Sequence, residues 1–165
     1  MVYPDNTAIA YFASGCFWGT QYHFDKHPGV IETYVGFMGG KKENPTYEEV
    51  KTGETGHVET VMVVYDPTQT SYRLLSKLFY ETHDFTQIGG QGSDIGTQYR
   101  SVAFYDNDHQ QMVAEEVMEV LTNMGYPVAT SIEPASVFWI AEDYHQKYYD
   151  KSGGTPYCHI YRKIF

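Results

Sequence analysis

Cys16 and Cys158 are the only thiols among the 165 residues. A deprotonated cysteine attacks electrophilic atoms, so a thiol held in a favourable setting is a candidate nucleophile. Cys16 stands within Ser14-Gly15-Cys16-Phe17-Trp18-Gly19, where an apolar run gives way to a helical pattern. At such a turn, backbone N–H groups and the positive end of the helix favour a thiolate. The neighbouring glycines let the chain turn tightly and let a substrate approach. Phe17 and Trp18 can wall an apolar pocket for a small alkyl group, or they can be core packing in a first helical turn. For the pair of thiols three readings stand side by side: a structural disulfide, two inert buried groups, or a redox couple. Two cysteines are too few for a disulfide-stapled scaffold.

Two glycine-rich segments carry the polar groups that oxygen chemistry needs. The first runs through Asn44-Pro45-Thr46-Tyr47 to Gly56-His57-Val58-Glu59; the second spans Gln91 to Ser101 and holds Asp94 and Tyr99. Phenols at Tyr47 and Tyr99 can donate hydrogen bonds to an oxygen, and a carboxyl with a raised pKa can deliver a proton to it. Each has a plainer reading alone: Glu59 on a solvated strand face, Asp94 capping a turn, the tyrosines half-buried in packing. Pairing Cys16 with His57 or His83 would instead suit a Cys-His hydrolase. No Cys or His pair shows metal-ligand spacing, and His23 with His27 reads as a surface pair on a helix.

Gly15-Cys16-Phe17-Trp18-Gly19, Gly56-His57-Val58-Glu59, Gln91 to Ser101, and Ala141-Glu142-Asp143-Tyr144-His145-Gln146 occur in one order. Together they resemble the peptide methionine sulfoxide reductase A family, from about Ile9 to Cys158. The resemblance implies that Cys16 attacks the sulfur of the S epimer of methionine sulfoxide, in peptides and, as an open alternative, as the free amino acid. It implies that Glu59 protonates the oxygen, that Tyr47 and Tyr99 hydrogen-bond it with Asp94 in the same network, and that Phe17 and Trp18 hold the methyl group. Cys16 would be left as a sulfenic acid. By the same resemblance Cys158 is the resolving cysteine, forming a disulfide that thioredoxin or a dithiol reduces. Small methyl sulfoxides are further expected substrates, with no bound cofactor and no metal. No cysteine follows Cys158, so a three-cysteine relay is excluded. Gln21 stands where the family commonly has glutamate, Phe85 where proline follows His-Asp, and Gly89-Gly90 where longer polar residues are usual. A catalytically inactive module for Met-rich peptides is the other alternative, and the intact set of Cys16, Tyr47, Glu59, Tyr99 and Cys158 argues against it.

Periodicity supplies the elements that must carry these groups. Strands are expected at 8–13, 30–35, 58–65, 100–105 and near 130–133, from short apolar or β-branched runs. Helices are expected at 17–27, 71–82, 108–123 and 141–150, from apolar residues at helical spacing and from Gly125 as a C-cap. Residues 36–56 and 83–97 read as loops, of a length that is usually functional. The order βαββαβαβ predicts an α+β protein: a two-layer α/β sandwich with a ferredoxin-like core and a long irregular, mobile tail from about residue 152 to 165. One catalytic domain over 1–165 fits the length. A formal charge of −10 repels phosphate backbones and anionic lipid, and no apolar run is long enough to span a bilayer. With no basic-then-apolar leader at the start, a cytoplasmic monomer is the expectation.

Overall fold

The computed structural model describes residues 6–156 and 159–165. Its elements begin with β1 (Ala8–Ser14), α1 (Phe17–Asp25), β2 (Val30–Met38), α2 (Tyr47–Lys51), β3 (Val58–Tyr65) and α3 (Tyr72–Glu81). A small hairpin follows, β4 (Gly90–Gln91) with β5 (Asp94–Ile95), then β6 (Ser101–Tyr105) and α4 (Asp108–Asn123). The chain continues through β7 (Ser131–Pro134), β8 (Trp139–Ile140) and α5 (Tyr148–Ser152).

Six strands form one sheet in the order β7-β6-β1-β3-β2-β8. Its inner four, β6-β1-β3-β2, come from a β-α-β-β-α-β run and are antiparallel, which is the expected ferredoxin-like arrangement. β7 joins β6 in parallel, because α4 crosses over between them and returns the chain in the same direction.

Alternation along the strands sets which side chains meet the helices. Ala10 and Phe12 of β1 and Val61 and Val63 of β3 share a buried cluster with Phe24 of α1 and Leu75 and Phe79 of α3. Phe12 is its hinge, with ring centroids 5.3 Å from Phe24 and 5.5 Å from Tyr72. On the same period Glu59 points to the helix side, among apolar neighbours. The opposite face holds a smaller cluster of Ala13, Met38, Val58, Val102 and Phe104, covered by Tyr11, Ala135 and Phe138.

Several segments depart from the sequence expectations, among them the expected loop over 83–97, which holds the β4–β5 hairpin, and β8, where no strand was expected. The loop expected over 36–56 starts later, because β2 runs to Met38, and it contains α2. A capping box starts that helix: Thr46 Oγ1 accepts from the Glu49 N–H while the Glu49 carboxylate accepts from the Thr46 N–H. The helix expected over 141–150 is instead a 3₁₀ turn at Asp143–His145 followed by α5. Lys147 breaks it with a left-handed φ of 57°, held by its N–H on Gln21 Oε1 at 2.8 Å and its ammonium between Asp25 and Glu32. The tail lacks regular structure as expected, but its described end is fastened rather than loose. Arg162 N–H donates to Glu81 O and Ile164 N–H to Glu81 Oε2, each at 2.8 Å, and Ile164 and Phe165 pack on the core.

Candidate active site

Cys16 closes the turn between β1 and α1 as the N-cap residue of a nine-residue helix. Gly15 takes a φ of +93°, which a side chain would strain, and a β-carbon there would meet Gln91 Cγ at 2.8 Å. The turn is therefore tight, and the β4–β5 hairpin leans against it. Gln91 fixes that hairpin by a two-way amide bond to the backbone of Asp84, at 2.7 and 2.8 Å.

A cavity of about 440 Å³ opens over Cys16. Trp18, Tyr47, Asp94, Tyr99, Tyr148 and His159 are among its lining residues. Four positions singled out in the sequence for oxygen and sulfur chemistry (Cys16, Tyr47, Asp94, Tyr99) thus face one space. The 3₁₀ turn carrying Tyr99 is tied to the end of α2 by Thr97 Oγ1 to Gly53 O and Gln98 Nε2 to Lys51 O. This brings the phenols of Tyr47 and Tyr99 to one cavity, where each affects the ionisation of the other. A larger cleft of about 810 Å³ lies by Glu81, Asp84 and Arg162, and Cys16 is not among its lining residues.

Glu59 lies beneath the cavity rather than on its wall, and only 2 % of it is exposed. One oxygen accepts the backbone N–H of Phe17 at 3.2 Å. Burial pushes its carboxyl up to about 8; the Phe17 N–H opposes the shift and the charge of Asp94 adds to it. At neutral pH it is a carboxylic acid, roughly tenfold more protonated than ionised.

Its charge, when present, raises the pKa values of all three groups around it. Tyr47 is pushed up to about 12 by burial and then by Glu59, and Tyr99 is raised by the same two causes. Cys16 is also raised, first by burial, then by Glu59. The Trp18 and Gly19 N–H groups favour the thiolate, as the helix-start position predicts, but burial and two nearby carboxylates outweigh them. The resting group is therefore a thiol, and a protonated Glu59 removes the larger of the two opposing charges.

Phe17 is buried behind the site, its ring 6.3 Å from that of Tyr47 and 5.7 Å from that of Phe37; Trp18 alone of the two lines the cavity. Trp18 stacks on Tyr148 at 3.8 Å and donates its indole N–H to His145 Nδ1 at 3.0 Å. His145, Tyr148 and His159 were not picked out from the sequence. The Tyr144-His145 segment was in view as a motif, but only tertiary folding shows that His145 touches Trp18 and Tyr47. Cys158 lies outside the described residues, whereas Thr155 and His159 to either side of it line the cavity.

The histidines considered as bases for a hydrolase are committed elsewhere. His57 accepts the Gly40 N–H at 3.0 Å and donates to Lys42 O at 2.7 Å, bracing the loop before β3. His83 bonds Phe79 O and Ser101 Oγ. His23 and His27 do not form a pair: His23 bonds His159 O, and His27 bonds Thr70 Oγ1 at 2.9 Å.

A cysteine at a helix start, a buried carboxyl group and two phenols thus gather around one cavity. The profile of the peptide methionine sulfoxide reductase family matches residues 8–165, and the chain belongs to that family. It is 53% identical over 148 residues to peptide methionine sulfoxide reductase MsrA of Methanoculleus marisnigri, covering 88% of this chain and 90% of that one. To the namesake of Sulfolobus acidocaldarius it is 43% identical, over 92% of this chain and 87% of that one. Among solved structures, reduced Mxr1 from Saccharomyces cerevisiae superposes with a TM-score of 0.90 at 33% identity, covering 98% of this chain and 96% of that one. Methionine sulfoxide reductase A of Corynebacterium diphtheriae does so at 0.82 and 39% identity, covering 91% and 77%.

Proposed function

We propose that this chain reduces the S epimer of methionine sulfoxide, in peptides and as small methyl sulfoxides, to the thioether. The observation that carries the reading is the carboxyl of Glu59, buried beneath a cavity that a thiol and two phenols share, where burial raises its pKa. Cys16 sulfur attacks the sulfoxide sulfur while Glu59 delivers its proton to the oxygen, which Tyr47 and Tyr99 hydrogen-bond and Asp94 flanks. The oxygen ends on the enzyme: Cys16–SH plus R–S(O)–CH₃ gives Cys16–SOH plus R–S–CH₃. Trp18 faces the methyl group, and Phe17 backs the wall from behind. Epimer choice follows from this layout, because exchanging methyl and oxygen would put a polar atom on the indole and leave the phenols unpaired.

Cys158 then condenses with the sulfenic acid. An S–S bond forms, the S–O bond breaks, and the oxygen leaves as water. Thioredoxin returns the disulfide to two thiols by exchange. The reading takes residues 1–165 as one catalytic domain acting as a cytoplasmic monomer. No helix among the described residues is long and apolar enough to cross a membrane.

Racemic methyl p-tolyl sulfoxide with a dithiol tests the proposal. The S form should be consumed and the R form recovered. Equal loss of both forms would overturn the epimer assignment, and loss of neither would overturn the activity.

A further inference from the structure

We infer that His159 is a positioning residue for the resolving step, its ring seated in a slot between the two glycines of the Gly15-Cys16-Phe17-Trp18-Gly19 turn. The inference rests on the proposed role of Cys158. It adds what brings that thiol to Cys16 repeatedly.

The seat is built from several independent contacts. Only 2 % of His159 is exposed, although it belongs to an irregular tail. Its Nε2–H donates to Ser14 O at 2.6 Å, with Thr20 Oγ1 at 3.5 Å. Ser14 and Thr20 share a bond of 2.6 Å, so the seat is itself braced. The backbone carbonyl of His159 accepts from His23 Nε2 on α1. Gly19 makes room for the ring: a β-carbon there would lie 2.8 Å from His159 Cγ, and at Gly15 it would come within 3.8 Å of Nε2. The two glycines that flank the nucleophile therefore also receive the residue bonded directly to Cys158.

A sulfenic acid is consumed at a rate set by how often the second thiol arrives in line with it. Fixing the next residue in the chain raises the local concentration of that thiol without touching either sulfur. Glu81, which fastens the far end of the tail, cannot do this alone, because its contacts fall at Arg162, Ile164 and Phe165.

Single turnover without reductant separates the two steps. Methionine formed per enzyme reads sulfoxide reduction, and trapping by a cyclic 1,3-dione reads how long the sulfenic acid survives. In His159→Ala the sulfenic acid should persist about tenfold longer or more, the effect of losing roughly one buried hydrogen bond and its packing. His159→Gln, whose amide N–H can reach Ser14 O, should recover part of the rate. Glu81→Ala removes the acceptor of the Ile164 and Phe165 N–H groups without altering the seat and should leave the lifetime within about twofold. If His159→Ala does not fold, His23→Phe removes the donor to the His159 carbonyl and should still lengthen the lifetime. A lifetime within twofold of the parent in His159→Ala, or the same lengthening in Glu81→Ala, would overturn the inference. If Cys158→Ser forms no long-lived sulfenic acid, the role of Cys158 itself has failed instead.

Discussion

The amide N–H of Phe17 and the carboxyl of Glu59 meet at 3.2 Å, joining the first turn of α1 to the strand that runs beneath it. This bond keeps the proton donor one residue away from the nucleophile in space, though 43 positions separate Cys16 and Glu59 in the chain. Glu59→Gln preserves an acceptor for the amide but removes the acid. It should lower kcat by about 10²–10⁴-fold with little change in KM, as loss of a general acid does. Steady-state kinetics on a free sulfoxide decides it; a change confined to KM would point to binding alone.

In the proposed mechanism the acid form of Glu59 is the active one, so the rate of the sulfoxide step should fall as pH rises through about 8. Asp94→Asn removes a charge that raises the Glu59 pKa, and the alkaline fall should then move to lower pH. Stability follows the same sign. The native state holds a proton that the unfolded chain loses above the ordinary carboxylate range, so this contribution is full at acid pH and is lost as pH climbs through about 8. Glu59→Gln should therefore flatten the dependence of Tm on pH between about 4.5 and about 8, the interval set by the two pKa values.

Tyr47 and Tyr99 line one cavity and both are raised by burial, so neither ionises before Glu59 does. Tyr47→Phe and Tyr99→Phe should each reduce kcat/KM. Since either phenol can still reach the oxygen when its partner is gone, the double variant should lose more than the sum of the singles, by about 1 kcal/mol or more of coupling. A double-mutant cycle on kcat/KM measures this, and strict additivity would show that the two act separately.

His145 accepts the Trp18 indole N–H while its ring lies 4.3 Å from that of Tyr47, so one buried imidazole braces two walls of the cavity. His145→Phe keeps the ring and leaves the indole N–H unpaired. An unpaired buried donor costs about 1–3 kcal/mol, and here it should surface as a higher KM for methyl sulfoxides with a smaller change in kcat. Retention of the parent KM would mean that the stack of Trp18 on Tyr148 suffices to hold the wall.

Gln21 explains one departure from the family pattern and yields a stability prediction. Its Nε2 donates to Thr33 O and Thr33 Oγ1, at 3.2 and 3.1 Å, while Oε1 accepts the Lys147 N–H. An ionised glutamate at that position has nothing to donate. Gln21→Glu should cost about 1–3 kcal/mol at neutral pH and less at acid pH, where the protonated side chain can donate again. Denaturant midpoints at two pH values would show the difference.

The sequence carried the framework well where the pattern was local. β1, β3 and α4 follow from apolar alternation and helical spacing, and the four inner strands follow from their order. α2 was also legible, since Thr46 and Glu49 spell a capping box, but the glycines around it masked a five-residue helix. What composition could not convey is long-range. Lys147 breaks a helix only because Gln21, Asp25 and Glu32 wait for it, and His145 matters only because Trp18 is beside it. The burial of Glu59 is of the same kind: alternation puts it on the helix side, yet its raised pKa comes from neighbours supplied by other elements. Phe85, which departs from the usual proline, is a core ring edge-on to Tyr80 and Tyr126, so its role is packing.

Strand β1 lies in the middle of the sheet, with Ser14 paired to Ser101 and Phe12 to Val61. During synthesis Cys16 leaves the ribosome early, yet its turn has no neighbours until residues far downstream are made. Glu59 must arrive to supply the acid, β6 to close the sheet, and His159 to fill the slot beside the turn. Contacts this distant in sequence form late. The surroundings of the Cys16 thiol are thus complete only after Glu59, β6 and His159 have been made and have docked beside its turn.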